Sequence, residues 1–345
     1  MDLQIALILG QDGVTNGAIY ALLALSILLV FTVTRVLLIP LGEFVSFGAL
    51  TMAAVQSGTP NSIVWLVAGL AVVEAALDLR VRLRSPSRRG IPLSMVLKVV
   101  YAFALVVLMY QLPLADLPMA AQVLLTLAVV VPLGPQMYRL FFQPIANAPS
   151  LVLLIVSIAV HVAMVGVGLL LFGPSGAQTK PFSEAGFELG PLMINSQSLW
   201  VIAMSLALII ILYQFFERTI YGKALRATAI NRVGSQLMGI SPVFAGRASF
   251  LLASFIGTLS GVMVAPITTI YFDSGFIISL KGFVGAIIGG LASYPLAAVG
   301  AVLVGLLEAF SSFWASTYKE VIVFTLIIPF LLWRSLTSRH VEEEE

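Results

Sequence analysis

The chain reads as a succession of apolar stretches separated by short polar breaks. A first stretch runs over 14–34 and stops at Arg35; a second, short and interrupted by Pro40 and Gly42, reaches Ser57. Further stretches cover 63–79, 95–110, 119–138, 151–172, 200–216, 248–270 and 321–333. Most approach the ~20 residues that a helix needs to cross a bilayer core, and their apolar positions do not alternate as barrel strands do. The pattern predicts an all-α polytopic membrane protein, one membrane domain over residues 1–345. Between the last two stretches lies FDSGFIISLKGFVGAIIGGLASYPLAAVGAVLVGLLEAFSSF, which is expected to form two short segments broken at 293–295. They either cross as a pair or re-enter as a hairpin. The total is then nine to eleven membrane segments, including that broken, Gly-rich pair.

Composition agrees: 60% of residues are hydrophobic and 10% charged, against about 25% charged in an average soluble domain. Nothing in the charge pattern suggests a nucleic-acid partner; the partner it requires is the lipid bilayer. The start, MDLQIALILGQDG, has no basic region and no small-residue cleavage site, so the first stretch is expected to be retained. With no cysteine in the chain, disulfides, iron–sulfur clusters and thiol chemistry are excluded.

Charge placement orients the chain. RVRLRSPSRRG holds five arginines at positions 80–89, and the positive-inside rule puts them in the cytoplasm. Counting outward from there, the Gly- and Pro-rich linker after Phe172 faces outside, while 217–247 and the C-terminus face the cytoplasm. Of 18 basic residues, only Lys180, Lys281 and Lys319 then face outward.

Carboxylates inside a membrane are costly and mark function by default. Glu43 sits beside Gly42 on the broken second segment, where it either meets an amphipathic ligand or pairs with Arg35 or caps the helix after Pro40. Glu308 either lines a pathway or ties helices together. Glu74 and Asp78 are expected to pair with Arg80 and Arg82 near the inner end of the third segment, and Asp273 to lie at the outer surface. His161, alone in an apolar segment with no partner at metal-ligand spacing, reads as a hydrogen-bonded core histidine. Gly257/Gly261 and Gly285/Gly289 read as close-packing positions within the chain. Trp314, Tyr318 and Trp333 read as interfacial anchors. No zinc motif, serine triad or phosphate loop is present, so the chain is not expected to be an enzyme.

The segment YGKALRATAINRVGSQLMGISP resembles the cytoplasmic coupling loop of branched-chain amino acid permeases of the ABC transporter class, the LivH/LivM type, whose pattern is GRAMRAVAxDxExAxLMGI. Gly222, Arg226, Ala227, Ala229, Leu237, Met238, Gly239 and Ile240 match. NGAIYALLALSILLVF and GEFVSFGAL are similar to the family's first helix and its HGExYMLGAY run. LKGFVGAIIGGLASYPLAAVGAVLVGLLEAF resembles its LKAFxAxVLGGLGSxPGAxxGGLxLGxxExL. The chain departs at Ile39, Pro40 and Leu41, at Asn231 and Val233, and at 80–118, which looks like an inserted basic loop with an extra span.

The resemblance implies a permease subunit of an importer in a bacterial or archaeal cytoplasmic membrane. It implies two ATP-binding subunits, a second permease chain and an extracytoplasmic solute-binding protein as partners, with ATP bound on those subunits and no cofactor on this chain. The resemblance places coupling to the ATPase at Gly222, Leu225, Arg226, Ala229, Leu237, Met238, Gly239 and Ile240. The substrate pathway is expected at Asn16, Tyr20, Gly42, Glu43, Gly289, Gly290 and Glu308. Branched-chain or related amino acids are the expected solutes, with urea and short amides open. The rival readings are an ion-gradient-driven carrier, and a membrane scaffold that has lost transport.

Overall fold

The computed structural model describes residues 3–83, 93–183, 186–189, 192–291 and 293–337. In chain order the helices are α1 (Leu3–Thr34), α2 (Leu41–Gln56), α3 (Ile63–Leu83), α4 (Leu93–Gln111), α5 (Met119–Val130), α6 (Leu133–Met137), α7 (Ser150–Phe172), α8 (Ser196–Arg218), α9 (Ile220–Ile230), α10 (Arg232–Leu237), α11 (Pro242–Val264), α12 (Ser274–Ile288), α13 (Tyr294–Ala315), α14 (Lys319–Thr325) and α15 (Ile327–Thr337). Among the described residues, six stretches are long and apolar enough to cross a membrane: Gln4–Thr34, Met119–Ile145, Ser150–Phe172, Ser196–Arg218, Pro242–Val264 and Tyr294–Leu332. Three shorter apolar helices, Leu41–Gln56, Met95–Gln111 and Ser274–Ile288, accompany them. The chain is a multi-pass membrane protein. An antiparallel hairpin of β1 (Gly186–Leu189) and β2 (Leu192–Asn195) adds two short strands in the linker after α7.

The buried centre is built by α1, α2, α11, α12 and α13. Of the apolar stretch in α1, 83% is buried, against 22% in α7 and in α8, so α7 and α8 present most of their surface outward. Small residues set the helix spacing. Gly13 lies against Leu306 and Gly17 against Val302, which runs α13 antiparallel to α1. Gly285 and Gly289 press α12 onto Ala301 and Ala297, and Gly257 and Gly261 press α11 onto Leu41, Phe44 and Val45. Both glycine pairs pack within the chain, as expected.

Several boundaries differ from the apolar pattern, each for a local reason. The stretch from Met119 continues to Ile145 but is distorted: Pro132 and Pro135 remove backbone donors, and a π-helical turn follows at Tyr138–Phe142. The carbonyl of Val131 is satisfied by the Ser254 hydroxyl at 2.8 Å, as proline breaks in membranes require. Pro242 opens α11 as its first residue instead of ending the preceding helix, and Gly239, at φ 85°, closes α10. Between α12 and α13 the chain turns through Gly290 at φ 68° and Leu291 at φ 54°, a left-handed pair in which glycine relieves the strain at one position.

The segment 80–118 pairs with the bundle through α4, which lies antiparallel to α3. Trp65 Nε1 donates to Tyr110 Oη at 3.2 Å near one end, and Lys98 Nζ to Glu74 at 2.5 Å near the other. Arg84, Arg88 and Arg89 of the basic run, and Arg339, lie outside the described residues.

Contacts sort the loops to two ends of the bundle. At one, the Gln56 side chain accepts from Lys180 N at 2.8 Å, and Ala177 bridges to Ile270. At the other, Arg232 donates to Ala146 O at 3.0 Å and Arg247 to Gln143 Oε1 at 3.5 Å.

Candidate functional site

The break before α2 is a non-helical segment that enters the bundle and turns at Ile39 and Pro40. Helix α1 stops at Thr34, Arg35 takes φ 61°, and α2 does not begin until Leu41. Leu41 and Phe44 pack on Gly257, which lies about 22 Å beyond the start of α11 at 1.5 Å per residue. Helix α2 therefore starts deep inside the molecule. Its N-terminus meets that of α12: a side chain at Gly275 would lie 1.9 Å from Gly42 O, and Gly275 N donates to Ser46 Oγ at 2.7 Å. The non-helical backbone is satisfied partly by its own turn, where Ile39 N donates to Leu37 O at 2.9 Å, and partly from α7, where Ser157 Oγ accepts from Ile39 N at 3.0 Å and donates to Leu37 O at 2.6 Å.

Glu43 occupies the first turn of α2 and is 1% exposed. His161, one turn along α7 from Ser157, places Nδ1 2.7 Å from Glu43 Oε1 and stacks its ring on Phe276 at 4.4 Å. The expected hydrogen-bonded histidine is present, and its partner is the candidate carboxylate itself; neither Arg35 nor a helix cap takes that place. Glu43 Oε2 has no hydrogen-bond partner among the described residues.

A second polar node joins α1, α12 and α13. Lys281 Nζ lies 2.5 Å from Glu308 Oε1, and Tyr20 Oη donates to Glu308 Oε2 at 2.6 Å. The lysine is also 5.8 Å from the centre of the Tyr20 ring. All three side chains are buried, Lys281 at 5% exposure and Glu308 at 8%. Lys281 does not face the outer surface, as its charge alone suggested. Helix α12 is only 15 residues long and begins within the bundle, so a residue at its middle sits at the depth of Glu308. An ionisable residue inside a membrane segment is the signal that identifies it.

The remaining expected pathway residues do not join either node. Asn16 is one turn before Tyr20 on α1 and half-buried. Gly289 ends α12 against Ala297, and Gly290 makes the turn that follows; both serve the hairpin's geometry. Among the described residues Glu74 and Asp78 pair with cations other than Arg80, and the Arg82 side chain lies outside the described residues. Glu74 takes Lys98 from α4, with Arg247 3.8 Å away, and Asp78 takes Arg139, because the helices packed on α3 bring those cations to its buried face.

The segment 217–247 folds into two short helices. Thr219 Oγ1 accepts from Gly222 N at 3.0 Å to start α9, and Asn231 Oδ1 accepts from Gly234 N at 2.8 Å to start α10. These are side-chain caps on the first orphan amides. Leu225, expected at a partner's surface, is fully buried against Leu29, Val33 and Ala245. Gly222 is pressed under Phe215 O. These two residues hold the loop to the bundle, as does Arg232 through Ala146. Ala229 is half-buried and packs on the same cluster, and Ile240 is half-buried. Arg226 pairs with Glu217 at 2.8 Å on the surface. Leu237 and Met238 are 84% and 83% exposed, beside Gly239. Ile230, which the sequence pattern did not single out, and Val233, noted there only as a departure from the family pattern, are exposed as well.

The family model for the branched-chain amino acid transport system permease component matches residues 89–331. The match begins within the segment expected as an insertion. The chain is 26% identical over 208 residues, 58% of its length and 67% of the relative's, to the high-affinity branched-chain amino acid transport system permease protein LivH of Escherichia coli (strain K12). The same figures hold for the LivH protein of Salmonella typhimurium. It is 24% identical over 242 residues, 68% of its length and 79% of the relative's, to the permease protein BraD of Pseudomonas aeruginosa. No solved structure matches the chain.

Proposed function

Since the chain belongs to the family of branched-chain amino acid transport system permease components, we propose that it is the membrane-spanning subunit of an ABC importer for branched-chain or related amino acids. It is a transport subunit, not an enzyme. In this reading the end bearing α9 and α10 faces the cytoplasm, together with the C-terminus, and the chain crosses or enters the inner membrane nine to eleven times. Two ATP-binding subunits dock below, a second permease chain packs alongside, and a solute-binding protein delivers its load at an outer face that includes residues 172–198.

The observation that carries the reading is the division of labour within α9 and α10. Leu225 and Arg232 anchor the pair to α1 and to the 138–146 segment, while Ile230, Val233, Leu237 and Met238 are exposed on it. An apolar surface on short helices is what a groove in a soluble partner takes. The anchored side supplies a rigid path into the membrane helices. For that path to drive transport, the ATP-binding subunits must hold the loop differently in their two states.

The test is gentle purification of the tagged chain from its native membrane, with mass spectrometry of what accompanies it. ATP-binding subunits are expected, and the Leu237→Glu, Met238→Glu variant is expected to lose them while still reaching the membrane. Recovery of the chain alone from mild detergent would overturn the reading.

One observation favours an ion-gradient-driven carrier, namely the buried Lys281–Glu308 pair, since such carriers keep charges at depth. Both Glu308 oxygens are bonded within the chain, which leaves that carboxylate no free site for a coupling ion. Uptake that survives ATP depletion and stops with a protonophore would establish the carrier instead.

A further inference from the structure

A small recess lies between the non-helical segment before α2 and one face of α12, lined by Ile27, Leu38, Ile39, Phe276, Leu280 and Phe283, with the Ser279 hydroxyl as a polar group. Phe276 joins it to the Glu43 node: its backbone abuts Gly42, and its ring carries His161, which holds Glu43 Oε1. The other oxygen of that carboxylate is buried and has no partner among the described residues.

We propose that this recess and Glu43 form a binding subsite for a small aliphatic amine, the alkyl group entering among Ile39, Phe276 and Leu280 and the ammonium bonding Glu43 Oε2. The chemistry selects that class. A carboxylate accepts and does not donate, so its free oxygen requires an N–H or O–H donor, and a desolvated anion gains most from a cationic one. An anionic group is unwelcome because Glu43 already supplies the negative charge that the N-terminus of α2 favours. A metal ion finds too few ligands: no group of three candidate ligands occurs among the described residues. The alkyl preference follows from the lining, which apart from Ser279 is Ile, Leu and Phe.

The recess holds about 20 Å³ in this structure, roughly one water's worth, so an alkyl chain enters by displacing the non-helical segment. That segment is non-helical over 35–38 and turns at Ile39 and Pro40, held by the local bonds Ile39 N to Leu37 O at 2.9 Å and Leu41 N to Leu38 O at 3.3 Å and by Ser157 of α7, which makes it the movable wall. The inference rests on the permease reading for the subsite's place on a solute path, and it specifies what the path recognises.

The experiment is thermal unfolding of the detergent-purified protein, with its co-purifying subunits, titrated with leucine, 3-methylbutylamine and 4-methylpentanoate. Leucine and 3-methylbutylamine are expected to raise the unfolding midpoint and 4-methylpentanoate is not. Glu43→Gln is expected to weaken both amines at least about tenfold, the scale of losing one charge-assisted hydrogen bond. Leu280→Trp fills the recess, leaves the Glu43–His161 pair in place, and is expected to abolish both responses; it decides the matter if the first variant does not fold. Equal stabilisation by 4-methylpentanoate, or unchanged amine response in both variants, overturns the subsite. ATP-binding subunits identified in the same preparation keep the two ideas apart: their presence without an amine response sinks the subsite alone, and their absence sinks the permease reading.

Discussion

Glu43 and Glu308 are both buried carboxylates within the helical bundle, yet their surroundings differ in kind. Glu308 has a lysine on one oxygen and a tyrosine hydroxyl on the other, contributed by two different helices. Glu43 has a histidine on one oxygen and, among the described residues, nothing on the other. The first arrangement is closed: charge is balanced, both acceptors are used, and three helices are tied at one depth. The second is open, with an acceptor in reserve beside a break in the backbone. A buried charge alone therefore does not mark a ligand site; an unfilled bonding capacity next to movable backbone does.

The largest effect expected from breaking this contrast comes from Lys281→Met. It leaves Glu308 buried without its cation, which costs about 3–5 kcal/mol when one partner of a buried pair is removed. The measurement is thermal or denaturant unfolding in detergent, and Lys281→Met with Glu308→Gln should recover most of the loss, since removing both charges is near neutral. A single variant as stable as the parent would show that the node is not a tie.

The same substitution at the two carboxylates sharpens the comparison. Glu308→Gln strands Lys281 and should cost several kcal/mol, about 3–5 by the same reasoning. Glu43→Gln strands no full charge and keeps an acceptor for His161, so its stability should stay within about 1 kcal/mol of the parent. Equal losses at both sites would remove the distinction. Tyr20→Phe falls between them. It frees Glu308 Oε2, making that carboxylate resemble Glu43 on one side, and the lost bond to a charged group should cost about 1.5–3 kcal/mol.

These nodes were legible in the sequence by halves. Glu43 and Glu308 stood out as carboxylates in apolar stretches, Tyr20 only as part of the family-like first helix, and the solitary His161 already read as hydrogen-bonded. What pairs with what was not visible, because the partners are 27 to 288 residues apart along the chain. Lys281 was missed for a geometric reason: periodicity shows that 274–288 is helical but not that the helix begins inside the bundle, where its midpoint is deep. Likewise the apolar positions of α9 and α10 announce contacts without naming the side. Only the fold separates Leu225, turned onto α1, from Leu237, turned outward, and only the non-helical backbone before Leu41 shows where α2 truly starts.

The smallest stability effects belong at the surface, where the contrast between a closed and an open arrangement recurs without burial. Arg226 and Glu217 form an ion pair with each side chain nearly half exposed, so Arg226→Ala should shift stability by less than about 1 kcal/mol. Leu237 is almost wholly exposed and should tolerate Glu within about 0.5 kcal/mol. Neither change touches Leu225 or Arg232, which hold the loop to the bundle. If α9 and α10 are a docking surface, Leu237→Glu should still remove the ATP-binding subunits from the purified complex while the unfolding curve stays where it was. An equal loss of fold and partner would mean instead that the exposed tip is part of the bundle's own structure. The value of Leu237 lies in this separation, because an exposed side chain outside the contacts that hold the loop to the bundle can report on docking without reporting on the fold.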